Sequence, residues 1–352
     1  MKVKDFSSIF IGPLYNQRVV LNKIDESIYD EILDLSDRFL IPSQVLNNLL
    51  YDKKVPNPLV EGLKNQSYIS NLKNLINQKE LLKIAKIFNE SGIDYVFLKG
   101  SAINLLGDNF TRYSRDIDIL VDKKCLSKSY ELLKKIGYKY LNPLVSDSSK
   151  YIKYVHHLPP LSNSNGGIVE IHHRITELSS YEKCPLTRLI LDKYAIVKKD
   201  GMEIKVPKLN HLIAHITYHA VLHHKYDFGP VFLHDIKHLK KMIKNKKELI
   251  KLLSKMNLSD EYKKIEVYID TRNIVDIFGI YEKSNTKKSL KKNPKRISKL
   301  ILTNSGRSDF CKIITRKFTV NEDYYQTSKY SIKFYFILLI ELKNHIFKSA
   351  ET

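Results

Sequence analysis

The sequence predicts an α+β chain with a small mixed sheet and flanking helices at its centre and helical parts at both ends. Three observations carry this. Apolar residues recur at helical spacing on either side of a central stretch. That stretch holds short runs in which polar and apolar residues alternate, and turn residues punctuate it at strand-like intervals. The 352 residues therefore divide into a helical N-terminal part over 1–90, an α/β core over 91–206 and a helical, Lys-rich C-terminal part over 207–352.

The elements follow in order. Ile28, Ile32, Leu33, Leu35 and Leu40 keep an apolar stripe, which predicts a helix that Pro42 ends. A second helix is expected from about 67 to 90, stopped by Ser91-Gly92, where glycine supplies the left-handed cap. Residues 93–98 (IDYVFL) read as a short strand before Lys99-Gly100-Ser101, and 102–106 as a short helix. Residues 116–121 (DIDILV) alternate as a strand does, and 126–136 form an amphipathic helix closed by Gly137. Residues 150–158 and 168–175 flank the turn-rich SNSNGG, a hairpin signal, and a second hairpin over 195–206 turns at Asp200-Gly201. Helices are expected over 209–223 and 232–243, then several Lys-rich ones, an exposed linker over 284–294 and a last helix over 331–347.

Composition narrows the function classes. With 43% hydrophobic residues, the chain has enough apolar matter to bury a core, so disorder throughout is excluded. The three cysteines, Cys125, Cys184 and Cys311, form no CxxC, which argues against a zinc ribbon, a redox motif or a disulfide scaffold. The longest apolar run, 334–340 (FYFILLI), is far short of the ~20 residues a membrane-spanning helix needs. The first twenty residues lack the apolar centre of a signal peptide, so a cytoplasmic protein is expected. The net charge of +21 rests on 49 Lys and only 10 Arg. Abundant Lys, Asn and Ile is the codon pattern of a low-GC genome, so part of the excess is compositional. Between 237 and 299, however, 19 Lys+Arg stand against 7 Asp+Glu, a field that attracts phosphate-bearing ligands. With little Arg among these residues, it does not read as a sequence-specific nucleic-acid reader.

The chemistry concentrates in residues 97–121, FLKGSAINLLGDNFTRYSRDIDILV. Asp116 and Asp118 lie two apart on the expected strand, so both face one way while Ile117 and Ile119 face the core. Two adjacent carboxylates repel unless a cation lies between them, and hard oxygen donors suit Mg²⁺. Upstream, Gly100 lets the backbone approach a ligand, and the helix start after Lys99 offers N–H groups to an anion, with the Ser101 hydroxyl beside them. Downstream, Glu170 is a third acid on a strand. Three acids can hold two metal ions, the arrangement for in-line phosphoryl displacement.

These residues together resemble the polymerase-beta-type nucleotidyltransferase superfamily: a hydrophobic residue and Gly-Ser, then an acid–hydrophobic–acid strand, then a later acid. More closely, LKG, RDIDILV and VEIHH resemble an uncharacterised bacterial nucleotidyltransferase family over roughly 70–245. The gap between Ser101 and Asp116 is slightly longer than is usual there. The resemblance implies a nucleotidyltransferase-like fold and a metal-dependent enzyme moving an NMP from an NTP to a hydroxyl, phosphate or amine on a small molecule, peptide or protein. It implies Asp116, Asp118 and Glu170 as catalytic and metal-binding residues for two Mg²⁺ or Mn²⁺ ions, with Glu170 also taking the acceptor's proton. Lys99, Gly100, Ser101 and Arg115 would bind the nucleotide. Lys99 either neutralises phosphate or flanks the strand, and Arg115 either reaches a phosphate or pairs with an acid. The NTP is the co-substrate and ATP is one option. Alternatives are a toxin-like enzyme acting on RNA and a non-catalytic nucleotide-binding protein on the same fold.

The histidines add a possible acceptor side. His172 is two residues after Glu170, on the same strand face. His211, His215 and His219 recur every four residues along one helix face, either lining a cleft, packing, or holding zinc. Asp235 is expected as a structural anchor near the acceptor side.

Overall fold

The computed structural model describes residues 9–10, 26–49, 56–107, 112–141, 156–175, 186–224 and 229–271. The expected linker over 284–294, the last helix with its apolar run, the residues 150–155 and Cys184 and Cys311 lie outside them. The described residues form two compact units. Among the described residues, one draws on those up to Gln78, on 102–115 and on those from Leu209 onward, the other on Lys79–Ser101 and on those between Asp116 and Lys208.

The first unit is helical. A 3₁₀ turn, Glu26–Ile28, leads into α1 (Tyr29–Arg38), which places Asp30 and Glu31 in its first turn and Arg38 in its last, complementing the helix dipole. Its Tyr29, Ile32 and Leu35 are buried. Leu40 takes φ +59° and ends the turn, and Pro42 opens α2 (Pro42–Leu49) rather than merely ending α1, because the first helical position needs no N–H donor. The long helix α3 (Asn57–Glu90) begins ten residues before the apolar stripe predicts. Gly62 lies so close to Leu33 that an added Cβ would meet its methyl at 2.9 Å, so packing on α1 recruits a glycine that propensity disfavours. Ile9, Phe10, Ile32, Phe39, Val45, Leu63, Tyr113 and Val231 form one buried core.

Later in this unit come α7 (Leu209–Tyr218), α8 (Val231–Lys240), α9 (Lys246–Lys255) and α10 (Ser259–Thr271). Residues 212–218 of α7 are buried throughout, and α7 packs on α8 and α9. Asn245 caps α9, its side chain accepting from the Lys247 and Glu248 amides. Gly229, before α8, has φ +75°, and a Cβ there would fall 2.0 Å from Phe39. Only glycine fits.

The second unit carries the sheet, in the order β1 (Tyr95–Phe97), β2 (Ile117–Val121), β5 (Ile168–His172), β4 (Leu161–Ser162), β3 (Lys139–Tyr140). The pair β2–β5 is parallel and the others are antiparallel, so the sheet is mixed, as the resemblance implies. α4 (Lys99–Leu106) follows β1, and its first three residues belong here. α5 (Leu126–Lys135) buries Leu126, Tyr130 and Leu133, and Gly137 at φ +96° ends it. The SNSNGG turn joins β4 to β5, but β4 starts at Leu161, later than expected. Pro159 and Pro160 have no N–H for the ladder, and among the described residues just before them, 156–158, pairing is an isolated His157–His172 bridge. α6 (Leu186–Asp192) leads to β6 (Tyr194–Lys199) and β7 (Met202–Pro207), which form the hairpin turning at Asp200-Gly201. Both turn residues have positive φ, at 50° and 75°, as a tight hairpin of this hand requires. No helix among the described residues is long and apolar enough to cross a membrane.

Candidate active site

Every residue of β2 is buried, although its second residue is Asp118. Period-two geometry sends Ile117, Ile119 and Val121 to one face and Asp118 and Leu120 to the other. The parallel register sets Asp118 opposite Glu170 and Leu120 opposite His172, so the acids of the two strands are neighbours on one face. Asp116 lies one residue before the strand, in a bend, and is half-buried.

Lys99 sits where β1 gives way to α4, with φ +44°, a conformation uncommon for a residue with a Cβ. Its ammonium donates to Asp118 Oδ1 at 2.8 Å. His172 Nε2 lies 2.7 Å from the same oxygen and 3.8 Å from Glu170 Oε2. Because a carboxylate only accepts, the His172 Nε2–H donates to Asp118, which leaves Nδ1 as the ring's acceptor. Two donors thus converge on one oxygen of a carboxylate that is only 2% exposed.

The electrostatics follow. Burial pushes the Asp118 carboxyl up, but the Lys99 ammonium and the His172 hydrogen bond outweigh it and hold it well below the usual carboxylate range. Burial would lower Lys99. The charges of Asp118, Glu170 and Asp116 overcome that and raise it, so the ammonium stays protonated. Burial and the Lys99 charge lower His172 against the pull of Asp118, and the imidazole is neutral near pH 7. Three carboxylates against one ammonium leave a formal deficit of positive charge.

Asp118, Glu170 and His172 bring one ligand atom each within 4.8 Å of one another, a set that can hold a cation. The two carboxylates suit Mg²⁺ or Mn²⁺, with the His172 Nε2–H given to Asp118, and the Lys99 ammonium seated on Asp118 shows that positive charge is favoured there. Asp116 is outside this donor group, though its charge is felt at Lys99. Gly100 and Ser101 open α4 and are both buried. The Arg115 guanidinium donates to Asp37 at 2.7 Å within the helical unit.

The remaining expected residues belong to the helical unit. His215 is buried on α7, its ring centroid 6.1 Å from that of His219. Asp235, on α8, accepts from Arg112 Nε at 3.1 and 3.3 Å. Sequence reasoning passed over His156 and His157, whose rings lie 5.5 and 5.4 Å from His172. The predicted hairpin set 150–158 against 168–175 without a register, and the structure sets His157 opposite His172. His157 Nδ1 bonds the Leu158 carbonyl at 3.0 Å, which fixes its ring beside the acids.

No protein of curated function matches the chain in sequence. Solved structures similar to it include two nucleotidyltransferase-related proteins. One is an antigenic nucleotidyltransferase-like protein from Paracoccidioides brasiliensis, 16% identical, with 56% of this chain and 91% of that one covered and a TM-score of 0.36. The other is the antibiotic-resistance factor ANT(2'')-Ia, 11% identical, with 56% and 97% covered and a TM-score of 0.35. The chain matches the uncharacterised nucleotidyltransferase family over residues 41–265, which take in the whole sheet and the acids on it; it belongs to that family and is a nucleotidyltransferase.

Proposed function

We propose that the protein moves an NMP from an NTP, ATP being one candidate, to a hydroxyl, phosphate or amine on a small molecule, peptide or protein, releasing pyrophosphate with the help of divalent metal. The observation that carries this is the parallel Asp118–Glu170 register with Lys99 and His172 converging on Asp118.

Asp118 and Glu170 are the residues to hold Mg²⁺ or Mn²⁺, with Asp116 at the strand's entrance completing the acids for a pair of ions. Bound there, the metal supplies neutralisation of charge on the reacting phosphates. Lys99 keeps Asp118 ionised in the resting protein, and its ammonium would also serve the triphosphate. Gly100 and Ser101 offer N–H and hydroxyl donors to the phosphates from the start of α4. Neutral His172 fixes the Asp118 carboxylate through Nε2–H. Glu170 takes the proton from the acceptor as it attacks the α-phosphorus. Catalysis rests on positioning and charge neutralisation, with no covalent intermediate on the protein.

One observation favours RNA as a second acceptor class. Lys246, Lys247, Lys251 and Lys255 share one face of α9. An RNA acceptor would make transfer fall steeply with added salt.

The test is label transfer from each α-labelled NTP in Mg²⁺ or Mn²⁺, with cell extract as the source of acceptors. Labelled product with one or more NTPs is expected. NTP binding without transfer under any combination would leave a nucleotide-binding protein and end the enzymatic reading.

A further inference from the structure

Beyond the acids on the sheet, the helical unit gathers a second donor set. The α7 helix does not end at Tyr218. It widens into a π-helical turn, His219–His223, closed by a bond from the His224 N–H to the His219 carbonyl at 2.9 Å. Such turns are rare and concentrate at functional sites. In an α-helix, at about 100° per residue, His224 would point roughly 140° away from His219. The i→i+5 bond opens the turn, so that positions i+4 and i+5 straddle position i.

The result is a cluster of three imidazoles. The ring centroids of His219 and His223 are 5.1 Å apart, those of His219 and His224 4.3 Å, and those of His223 and His224 4.6 Å. One nitrogen of each lies within 4.8 Å of the other two, and all three rings are half-buried. The sequence-predicted row of His211, His215 and His219 is extended: His219 keeps His215 as a ring neighbour at 6.1 Å and gains His223 and His224.

We propose that His219, His223 and His224 form a Zn²⁺ site distinct from the acids on β2 and β5. The donor chemistry sets the choice of metal. An all-imidazole set suits zinc and disfavours Mg²⁺, which takes oxygen ligands, whereas Asp118 and Glu170 offer oxygens. Three protein ligands and a water complete a tetrahedron with Zn–N distances of about 2.0–2.1 Å. That geometry brings the nitrogens to roughly 3.3 Å apart, a contraction that side-chain rotation supplies. Zinc would hold the wide turn in place. The inference does not rest on nucleotidyl transfer and is tested without it.

The experiment uses tag-free, full-length protein stripped of metal, titrated with Zn²⁺ and, for its visible spectrum, Co²⁺. One Zn²⁺ per chain is expected to bind at about micromolar concentration or tighter even in millimolar Mg²⁺, with tetrahedral Co²⁺ bands from nitrogen ligands. His223→Gln and His224→Gln should each weaken binding about tenfold or more, while Glu170→Gln leaves it unchanged. Far-UV circular dichroism shows whether the variants fold, and the wild-type titration decides alone if they do not. No saturable binding below roughly 100 μM, or binding lost with Glu170→Gln but kept with His223→Gln and His224→Gln, overturns the proposal.

Discussion

Asp118 and Asp235 are both buried, 2% and 3% exposed, and both face a basic residue, yet their acidities move in opposite directions. Burial raises each. At Asp118, Lys99 at 2.8 Å and His172 at 2.7 Å overturn that and hold the carboxyl below its usual range. At Asp235 the Arg112 Nε–H is shared between two oxygens at 3.1 and 3.3 Å, and burial prevails, so the carboxyl lies above its usual value. Two short bonds to one oxygen preserve a charge in a dry place. One shared donor at longer range ties α8 to the segment around Arg112 without fully stabilising that charge. The difference separates a carboxylate kept ionised for chemistry from one used as an anchor.

The sharpest way to break the comparison is to neutralise each acid. Asp118→Asn should reduce transfer by about 10³-fold or more, because the residue that carries charge at the phosphates is gone. Asp235→Asn should keep transfer within roughly tenfold of wild type, any loss following the folded fraction. Initial rates at saturating NTP, normalised to the folded fraction by circular dichroism, decide it. Equal losses from both substitutions would erase the distinction.

The acids were legible because their chemistry is written in local spacing. DIDILV alternates, and VEIHH repeats the pattern, so Asp118, Glu170 and His172 could be placed on strand faces before any pairing was known. What joins them was not. Lys99 and Asp118 are 19 positions apart, and their contact depends on antiparallel β1–β2 pairing that no local pattern specifies. The early start of α3 escaped for a related reason, since the Leu33 contact that uses Gly62 is 29 residues away in sequence. The grouping of His219, His223 and His224 escaped because a 3.6-residue period was assumed where the backbone adopts an i→i+5 turn.

A smaller effect sharpens the anchor. Arg112→Met leaves Asp235 buried without its main cationic partner, and breaking such a pair costs about 3–5 kcal/mol when the remaining group stays charged. Asp235 can evade part of that by binding a proton. A carboxyl whose folded value is raised stabilises the fold fully below its unfolded value, near 3.9, and that contribution is lost as pH rises through the folded value. Removing Arg112 raises the folded value further, so the variant's deficit should grow from pH 5 to pH 8. Denaturant unfolding at both values measures this, and a pH-independent deficit would show that Arg112 acts through packing alone.

The least drastic change tests what sets the acidity of Asp118. In the wild type its folded value is depressed, so its contribution is present above the unfolded value near 3.9 and lost only as pH falls through the lowered one. Lys99→Met removes the strongest influence opposing burial, so Asp118 takes up its proton at higher pH. His172, no longer repelled by the ammonium, also titrates higher, since the Lys99 charge is one cause of its lowering. Both changes move the acid limb of kcat in the same direction, toward neutral pH, with transfer at the optimum falling about tenfold. Lys99→Arg keeps the charge and should restore much of the limb's position even where the rate stays low. A Lys99→Met profile that superimposes on the wild type would mean that the sheet holds Asp118 ionised without the lysine, and the contrast with Asp235 would then rest on His172 alone.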